Sequence, residues 1–142
     1  MNAVIPMEQT VGSETQASDT ARRLRRNSAG KRLVDDQLTG AELNYSVMMH
    51  LSALLGLASA LLLAVPLVMW LVRRQDSQFI DDHGRDLVNF GLSLLIYALA
   101  LSWIDRAETV VQIVGAVNVI RAASAAYYGE YFRYPITIRF LS

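Results

Sequence analysis

Charged and polar side chains that could take part in chemistry crowd into one short stretch of the sequence. Its members are Asp81, Asp82, His83, Arg85, Asp86 and Asn89. Carboxylates beside an imidazole are possible metal ligands. The same residues also suit a helix start, because Asp81 faces Arg85 four residues later and early acidic residues complement the helix dipole. We predict a charged cap that anchors a helix at a membrane interface, with metal or proton chemistry as the alternative, and we expect Gly84 to permit close approach of another helix.

The second histidine, His50, lies near the start of a long apolar run, whereas His83 follows the end of that run. A full membrane crossing would separate the two, so we predict no metal site shared within one chain. At the edge of a membrane span, His50 is a candidate proton relay. The alternative is a histidine that bonds a neighbouring helix or faces lipid headgroups.

The amino-acid composition indicates whether the secondary-structure elements lie in water or in a lipid bilayer. Hydrophobic residues make up 53% of the 142 residues and charged residues 18%, whereas charged residues are about a quarter of a typical soluble domain. The 13 basic and 13 acidic side chains cancel, so no net field attracts nucleic acid. We therefore predict the lipid bilayer as the main partner, and an inner-membrane, multi-pass location.

Three apolar runs are predicted to cross that bilayer as helices, at residues 47–72, 87–104 and 109–128. The first would be about 39 Å long as a straight helix, more than the roughly 30 Å of hydrocarbon, so we expect it to tilt or to kink at Pro66. Arg121 interrupts the third run, but its long side chain can extend along the helix and place the guanidinium at the membrane interface. The predicted fold class is an all-α membrane protein with three transmembrane helices.

The two ends of the chain differ from these runs. Residues 1–41 are polar and contain an arginine cluster, so we predict a disordered basic tail, followed by a membrane domain at residues 42–142. The last residues, which include Arg133, Tyr134 and Pro135, alternate aromatic, basic and β-branched types. We expect them to form an extended segment along the membrane surface.

Small residues recur every four positions in the first run. They are Ser52, Gly56, Ala60 and Ala64. On one continuous helix they would share a face that a neighbouring helix backbone can approach closely. We predict that this face is the packing seam, used for self-association or for binding a larger membrane protein.

Several blocks together resemble a known family. They are His50 to Gly56, Pro66-Leu67 before Trp70, Phe79 to Arg85 with Asn89-Phe90, and Gly129 to Pro135 with Thr137 to Phe140. This order is similar to that of a group of small bacterial membrane proteins placed as Tic20-like, which are distantly similar to a chloroplast inner-envelope protein-import component. The resemblance covers residues 42–142 and implies architecture without an activity. Gly91 stands where that pattern has glutamine.

The sequence contains no nucleophile elbow, phosphate loop, zinc motif or dinucleotide fingerprint. We therefore predict no enzyme activity, no cofactor and no metal. The predicted function is a membrane-embedded interaction or assembly subunit. The alternative is an oligomeric channel or carrier, including a protein-translocation-like role, with His50, Asn89, Asn118 or Arg121 facing an aqueous path. An interfacial enzyme that uses His83 and its neighbouring aspartates as metal ligands is a third hypothesis.

Overall fold

The computed structural model describes residues 24–26 and 32–141. In this part of the chain there are four α-helices: α1 (Gly40–Ser52), α2 (Ala64–Arg73), α3 (Gln78–Ala100) and α4 (Ala107–Tyr127). Two short 3-10 helices, Ala53–Leu57 and Ala60–Leu63, join α1 to α2. Strands β1 (Leu24–Arg26) and β2 (Leu33–Asp35) pair antiparallel. The prediction of a mostly helical chain is confirmed.

The start of α1 is fixed by local hydrogen bonds. The Thr39 hydroxyl accepts from the Glu42 backbone N–H, and the Glu42 carboxylate accepts from the Thr39 backbone N–H, which is a capping box. Strands β1 and β2 both lie inside the segment predicted to be a disordered tail. The rest of that prediction, residues 1–23 and 27–31, lies outside the described residues.

The first apolar run does not form the single helix predicted for residues 47–72. The backbone is extended at Ser59 (φ −159°, ψ 132°), and the chain then turns back on itself. The Tyr45 hydroxyl donates to the Met69 carbonyl oxygen at 2.7 Å, so the start of α1 lies beside the end of α2. We call residues 40–73 the helical hairpin.

Proline explains where the second arm of the helical hairpin begins. Pro66 has no backbone N–H, and the first four N–H groups of a helix have no intrahelical acceptor. Because α2 starts at Ala64, Pro66 occupies its first turn. The predicted kink at Pro66 within one long helix is therefore wrong, and the helix is interrupted before it.

The other two predicted spans correspond to α3 and α4. Helix α3 starts at Gln78, nine residues before the predicted residue 87, because the charged stretch is part of the same helix. Helix α4 matches its predicted range closely. Among the described helices, one is long and apolar enough to cross a membrane, Ala107–Tyr127. Three spanning helices are therefore not confirmed.

The core lies where the four helices meet the residues that follow α4. Its buried hydrophobic residues are Met49, Ala53, Trp70, Leu87, Phe90, Val119, Ala122, Ala125, Phe132 and Tyr134. The small side chains Ala122 and Ala125 let α4 pack closely on the rest of the core. Residues 129–141, which we call the C-terminal segment, contribute Phe132 and Tyr134. These two side chains therefore lie inside the packed structure, whereas Ile136, Ile138 and Phe140 of the same segment are exposed.

Candidate functional site

One face of α3 carries the polar groups that hold the C-terminal segment. Asp82, Asp86, Asn89 and Ser93 follow one another at spacings of four, three and four residues, which places them on the same side of a helix. Each of them bonds a residue of the C-terminal segment. We call this set of contacts, together with the two histidines, the clasp.

The two histidines lie in direct contact at the centre of the clasp. His50 Nε2 is 2.8 Å from His83 Nδ1. Continuing outward, His50 Nδ1 is 2.9 Å from the Tyr134 hydroxyl, and His83 Nε2 is 3.1 Å from the Glu130 carbonyl oxygen. The expectation that a membrane crossing separates these histidines is wrong, because the helical hairpin returns the chain to the end of the bundle where it began.

The chemistry of the last acceptor fixes the direction of this chain of hydrogen bonds when both imidazoles are neutral. A carbonyl oxygen only accepts, so His83 Nε2 must donate and His83 Nδ1 must accept. His50 Nε2 is then the donor to His83, and His50 Nδ1 accepts from the Tyr134 hydroxyl. Each of the four ring nitrogens therefore has one partner, and no imidazole lone pair is left for another ligand.

Burial favours the neutral forms on which this arrangement depends. Burial, opposed by the hydrogen bond to Glu130, lowers the pKa of His83 to about 4. Burial also raises the pKa of the Tyr134 hydroxyl well above its ordinary value, and the negative charge of Asp86 adds to that effect. A charged imidazole or phenolate would lose hydration here. The bonds that join Tyr134, His50, His83 and the Glu130 carbonyl are therefore neutral hydrogen bonds at neutral pH.

Arg133 joins the C-terminal segment to α3 through two carboxylates. Its guanidinium donates to Asp86 Oδ2 at 2.8 Å and to Asp82 Oδ1 at 2.9 Å. Burial raises the pKa of Asp82, although the charge of Arg133 opposes that shift. Burial lowers the pKa of Arg133, but its bonds to both carboxylates outweigh burial and raise it. One cation thus bridges two carboxylates that lie one helical turn apart.

The ion pair predicted for the charged start of α3 is present beside the clasp. Arg85 forms an ion pair with Asp81, as predicted from their spacing, and the Trp70 indole N–H donates to Asp81 Oδ1 at 2.9 Å. A Cβ at Gly84 would overlap the Trp70 ring, so the predicted close approach of another helix at Gly84 is confirmed, with α2 as that helix. In the described chain, no group of three or more His, Asp or Glu residues is arranged to hold a metal ion.

Farther along α3, side chains bond the backbone of the C-terminal segment. The Asn89 carbonyl oxygen accepts from the backbone N–H groups of Phe140 and Leu141, and its amide donates to the Leu141 carbonyl oxygen. The Ser93 hydroxyl accepts from the Ile138 N–H at 2.8 Å. The Asn89 side chain thus makes the backbone hydrogen bonds that a neighbouring β-strand would otherwise make to this end of the chain.

Comparison with known families agrees with the extent of this structure. A protein-family model matches residues 41–141, which run from the second residue of α1 to the end of the described C-terminal segment. The chain belongs to the MamF/MmsF family, described as a magnetosome magnetite crystal formation protein family. No curated protein matches the chain, and no solved structure matches it.

Membership in the MamF/MmsF family corrects the Tic20-like resemblance. Several of the blocks that suggested it contribute to the clasp, including His50, residues 79–90 and residues 129–140. Those residues maintain a helical packing arrangement. The order of such short blocks is weaker evidence of family membership than a match of the whole region 41–141. The implied relation to a protein-import component is therefore withdrawn.

The clasp of this MamF/MmsF family chain brings together six of the candidate residues that the sequence singled out. His50, Asp82, His83, Asn89, Arg133 and Tyr134 meet there, and Arg85 lies beside it. Pro135 is exposed at the turn where the C-terminal segment reverses, next to Ile136 with φ 60°. His50 and Asn89 are fully buried, so neither faces an aqueous path within one chain.

The remaining candidates lie away from the clasp. The predicted seam of Ser52, Gly56, Ala60 and Ala64 does not exist as one helix face, because the chain changes direction between Gly56 and Ala60. Gly56 packs within the helical hairpin, where a Cβ would overlap Leu63. The Ser52 hydroxyl donates to the Met49 carbonyl oxygen, and Arg121 is exposed on α4.

Sequence reasoning missed Ser93, Tyr97 and the Glu130 backbone carbonyl. The Tyr97 hydroxyl donates to the Ile136 carbonyl oxygen at 2.8 Å. A signal for both side chains was present, since positions 89, 93 and 97 are spaced by four and continue the polar face of α3. The backbone carbonyl of Glu130 could not be picked out from the sequence, because every residue has a backbone carbonyl.

Proposed function

We propose that this chain is a membrane-embedded assembly subunit that acts in magnetite crystal formation at the magnetosome membrane. The observation that carries the proposal is the family match across the helical hairpin, α3, α4 and the C-terminal segment. The clasp fits a structural role, because its polar groups bond one another and its imidazole nitrogens are occupied. In this proposal the chain has no enzyme activity.

Exposed apolar side chains support the membrane part of the proposal. On α4, Val110, Ile113, Val117 and Ile120 are all more than half exposed and lie on one stripe at spacings of three and four residues. At the turn after α3, Trp103 is 81% exposed. Apolar surface of this extent needs a bilayer or another protein to cover it.

In the proposed topology, α4 and the apolar part of α3 from Leu87 cross the membrane, while the helical hairpin enters and returns. The first turns of α3, including His83, would lie at the headgroups with the start of α1 and the end of α4. That end of the described chain carries several arginines, among them Arg32, Arg73, Arg74, Arg85 and Arg133. Arg106 is at the opposite turn, so the charge rule favours a cytoplasmic location for the clasp.

Cysteine labelling tests this topology cleanly, because the chain has no cysteine of its own. Single substitutions Asp36→Cys, Gln75→Cys and Asp105→Cys would be treated with a membrane-impermeant maleimide in sealed vesicles. A returning hairpin places Asp36 and Gln75 on the same side, with Asp105 opposite. Three spanning helices would instead place Asp36 with Asp105, and that pattern would reject the proposed topology.

The assembly role is tested in a magnetite-forming bacterium that lacks the native protein. We expect the wild-type chain to restore crystal size and shape in electron micrographs, and a benzophenone amino acid at Ile113 to crosslink a partner. Replacing Val117 with Asp, on the exposed stripe of α4, should reduce both. Replacing Asp105 with Asn is the matched control. Normal crystals without the chain would refute the role.

The second candidate is an oligomeric channel or carrier, and one observation favours it. The Asn118 side-chain oxygen is buried with no hydrogen-bond partner, and such groups call for an explanation. Within an oligomer it could contact a passing solute. This candidate predicts solute flux into liposomes that falls on Asn118→Leu. Flux equal to that of protein-free liposomes would exclude it.

A further inference from the structure

A large apolar cavity lies under the tip of the helical hairpin. Its volume is about 480 Å³, and its walls come from the hairpin tip, the middle of α3 and the first turns of α4. Representative lining residues are Gly56, Leu63, Gly91, Leu95, Ala98 and Val111. The clasp is not part of this space.

The unequal lengths of the elements produce the cavity. Helix α3 has 23 residues and α2 has 10, so at 1.5 Å per residue they are about 35 Å and 15 Å long. The hairpin therefore covers the clasp half of α3 and α4 and ends before their connecting turn. Ala98 and Glu108, close to that turn, line the part of the cavity that the hairpin does not reach.

The chemistry of the walls decides between water and hydrocarbon as the occupant. Three lining residues carry polar side chains, Ser59, Glu108 and Gln112, and the Gln112 amide already donates to the Glu108 carboxylate at 3.3 Å. A water molecule needs two to four polar partners to occupy a cavity. The remaining walls are aliphatic, aromatic or glycine surface. The cavity is therefore suited to an apolar occupant.

We propose that this cavity binds one acyl chain of a membrane phospholipid, which enters from the leaflet at the α3–α4 turn. The inference rests on the proposed membrane location of the chain. The side chains around the hairpin tip are also apolar and exposed, with Leu61 82% exposed, so the medium at the cavity mouth is lipid hydrocarbon. The acyl chain would complete the packing that a full-length first helix would have supplied.

The test uses the full chain in liposomes with a phospholipid that carries a photoreactive diazirine in its acyl chain. After illumination, mass spectrometry maps the adducts. We expect adducts at Leu95 and Ala98 in the cavity and at Val117 and Ile120 on the exposed stripe of α4. Gly91→Leu or Ala98→Phe should fill the space and abolish the cavity adducts while the stripe adducts persist.

Controls separate the failure of this inference from the failure of the proposed location. Ile96→Phe adds bulk on an exposed part of α3 outside the cavity and should leave both sets of adducts unchanged. Stripe adducts without cavity adducts in the wild-type chain would overturn the lipid site alone. The absence of both sets would overturn the membrane location as well. Rapid reaction of Ala98→Cys with a water-soluble maleimide would show a hydrated cavity and reject the acyl chain.

Discussion

The two ends of α3 contact the rest of the protein through different kinds of interaction. At the first end, Asp82, His83, Asp86 and Asn89 each bond a particular atom of the C-terminal segment or of α1. At the far end, Leu99 is 75% exposed and the neighbouring space is a cavity. Hydrogen bonds have a narrow range of distance and direction, whereas apolar contact is non-directional. We therefore expect the first end to be sensitive to single atoms, and the far end to depend on the medium that covers it.

The largest expected effect is at the centre of the clasp. His83→Leu removes the hydrogen bonds that the imidazole makes to the His50 ring and to the Glu130 carbonyl oxygen. Losing a bond to a buried polar group costs about 1 to 3 kcal/mol, so we expect the free energy of unfolding in mixed micelles to fall by about 4 kcal/mol. Tyr134→Phe, which removes one bond at the end of the chain, should cost less. Equal losses would show that the clasp acts by packing alone.

Acid should weaken the clasp end through His83. Its pKa is lowered from 6.5 to about 4, so the unfolded chain takes up a proton more readily than the folded one. The contribution is complete above pH 6.5 and is lost as pH falls toward 4, a total of about 3 kcal/mol. The free energy of unfolding would be measured across that range for wild type and His83→Leu. The difference between the two curves separates the contribution of His83 from that of Asp82. Parallel curves would contradict the prediction.

A smaller effect is expected from the ionic contact of the clasp. Arg133→Leu leaves Asp82 and Asp86 as adjacent negative charges without their common partner. Because the Arg133 side chain is 54% exposed, solvent screening limits the loss to about 2 kcal/mol. Arg133→Lys keeps the charge but cannot fork between two carboxylates, so its loss should be intermediate. Thermal unfolding in detergent at low and high salt would compare the three chains.

The smallest effect is expected at the far end of α3. Leu99→Ala removes an exposed side chain that lipid or detergent solvates in both the folded and the unfolded state. The change in unfolding free energy should therefore stay within about 0.5 kcal/mol. A loss as large as that of the Arg133 variants would mean that protein covers this end. In that case, the contrast between the two ends of α3 would not hold.

Local features of the sequence predicted several elements correctly. The spacing of Asp81 and Arg85 indicated their ion pair, and Gly84 indicated a close helix approach that Trp70 makes. The extent of α4 was also close to the predicted range. Each of these depends on residues within a few positions of one another, or on the length of an apolar run. They could be predicted because helix geometry relates spacing directly to contact.

The turn within the first apolar run could not be predicted from residue spacing or run length. Its residues have the same hydropathy whether the chain crosses a membrane or turns back at Ser59. Pro66 marked an irregularity without fixing its form, since proline suits both a kink and a first turn. The predicted seam of small residues and the separation of the two histidines failed for this one reason.

The sequence by itself determined the helical content, the charged start of α3, the polar face that continues to Asn89, and membership in the MamF/MmsF family. Only the tertiary structure decided that His50 meets His83, that Tyr134 and Glu130 complete their hydrogen bonds, and that a cavity lies beneath the hairpin. The physical reason is distance along the chain. Residues 50, 83 and 134 have no local geometry in common, and their contact depends on the net packing energy of all the elements between them.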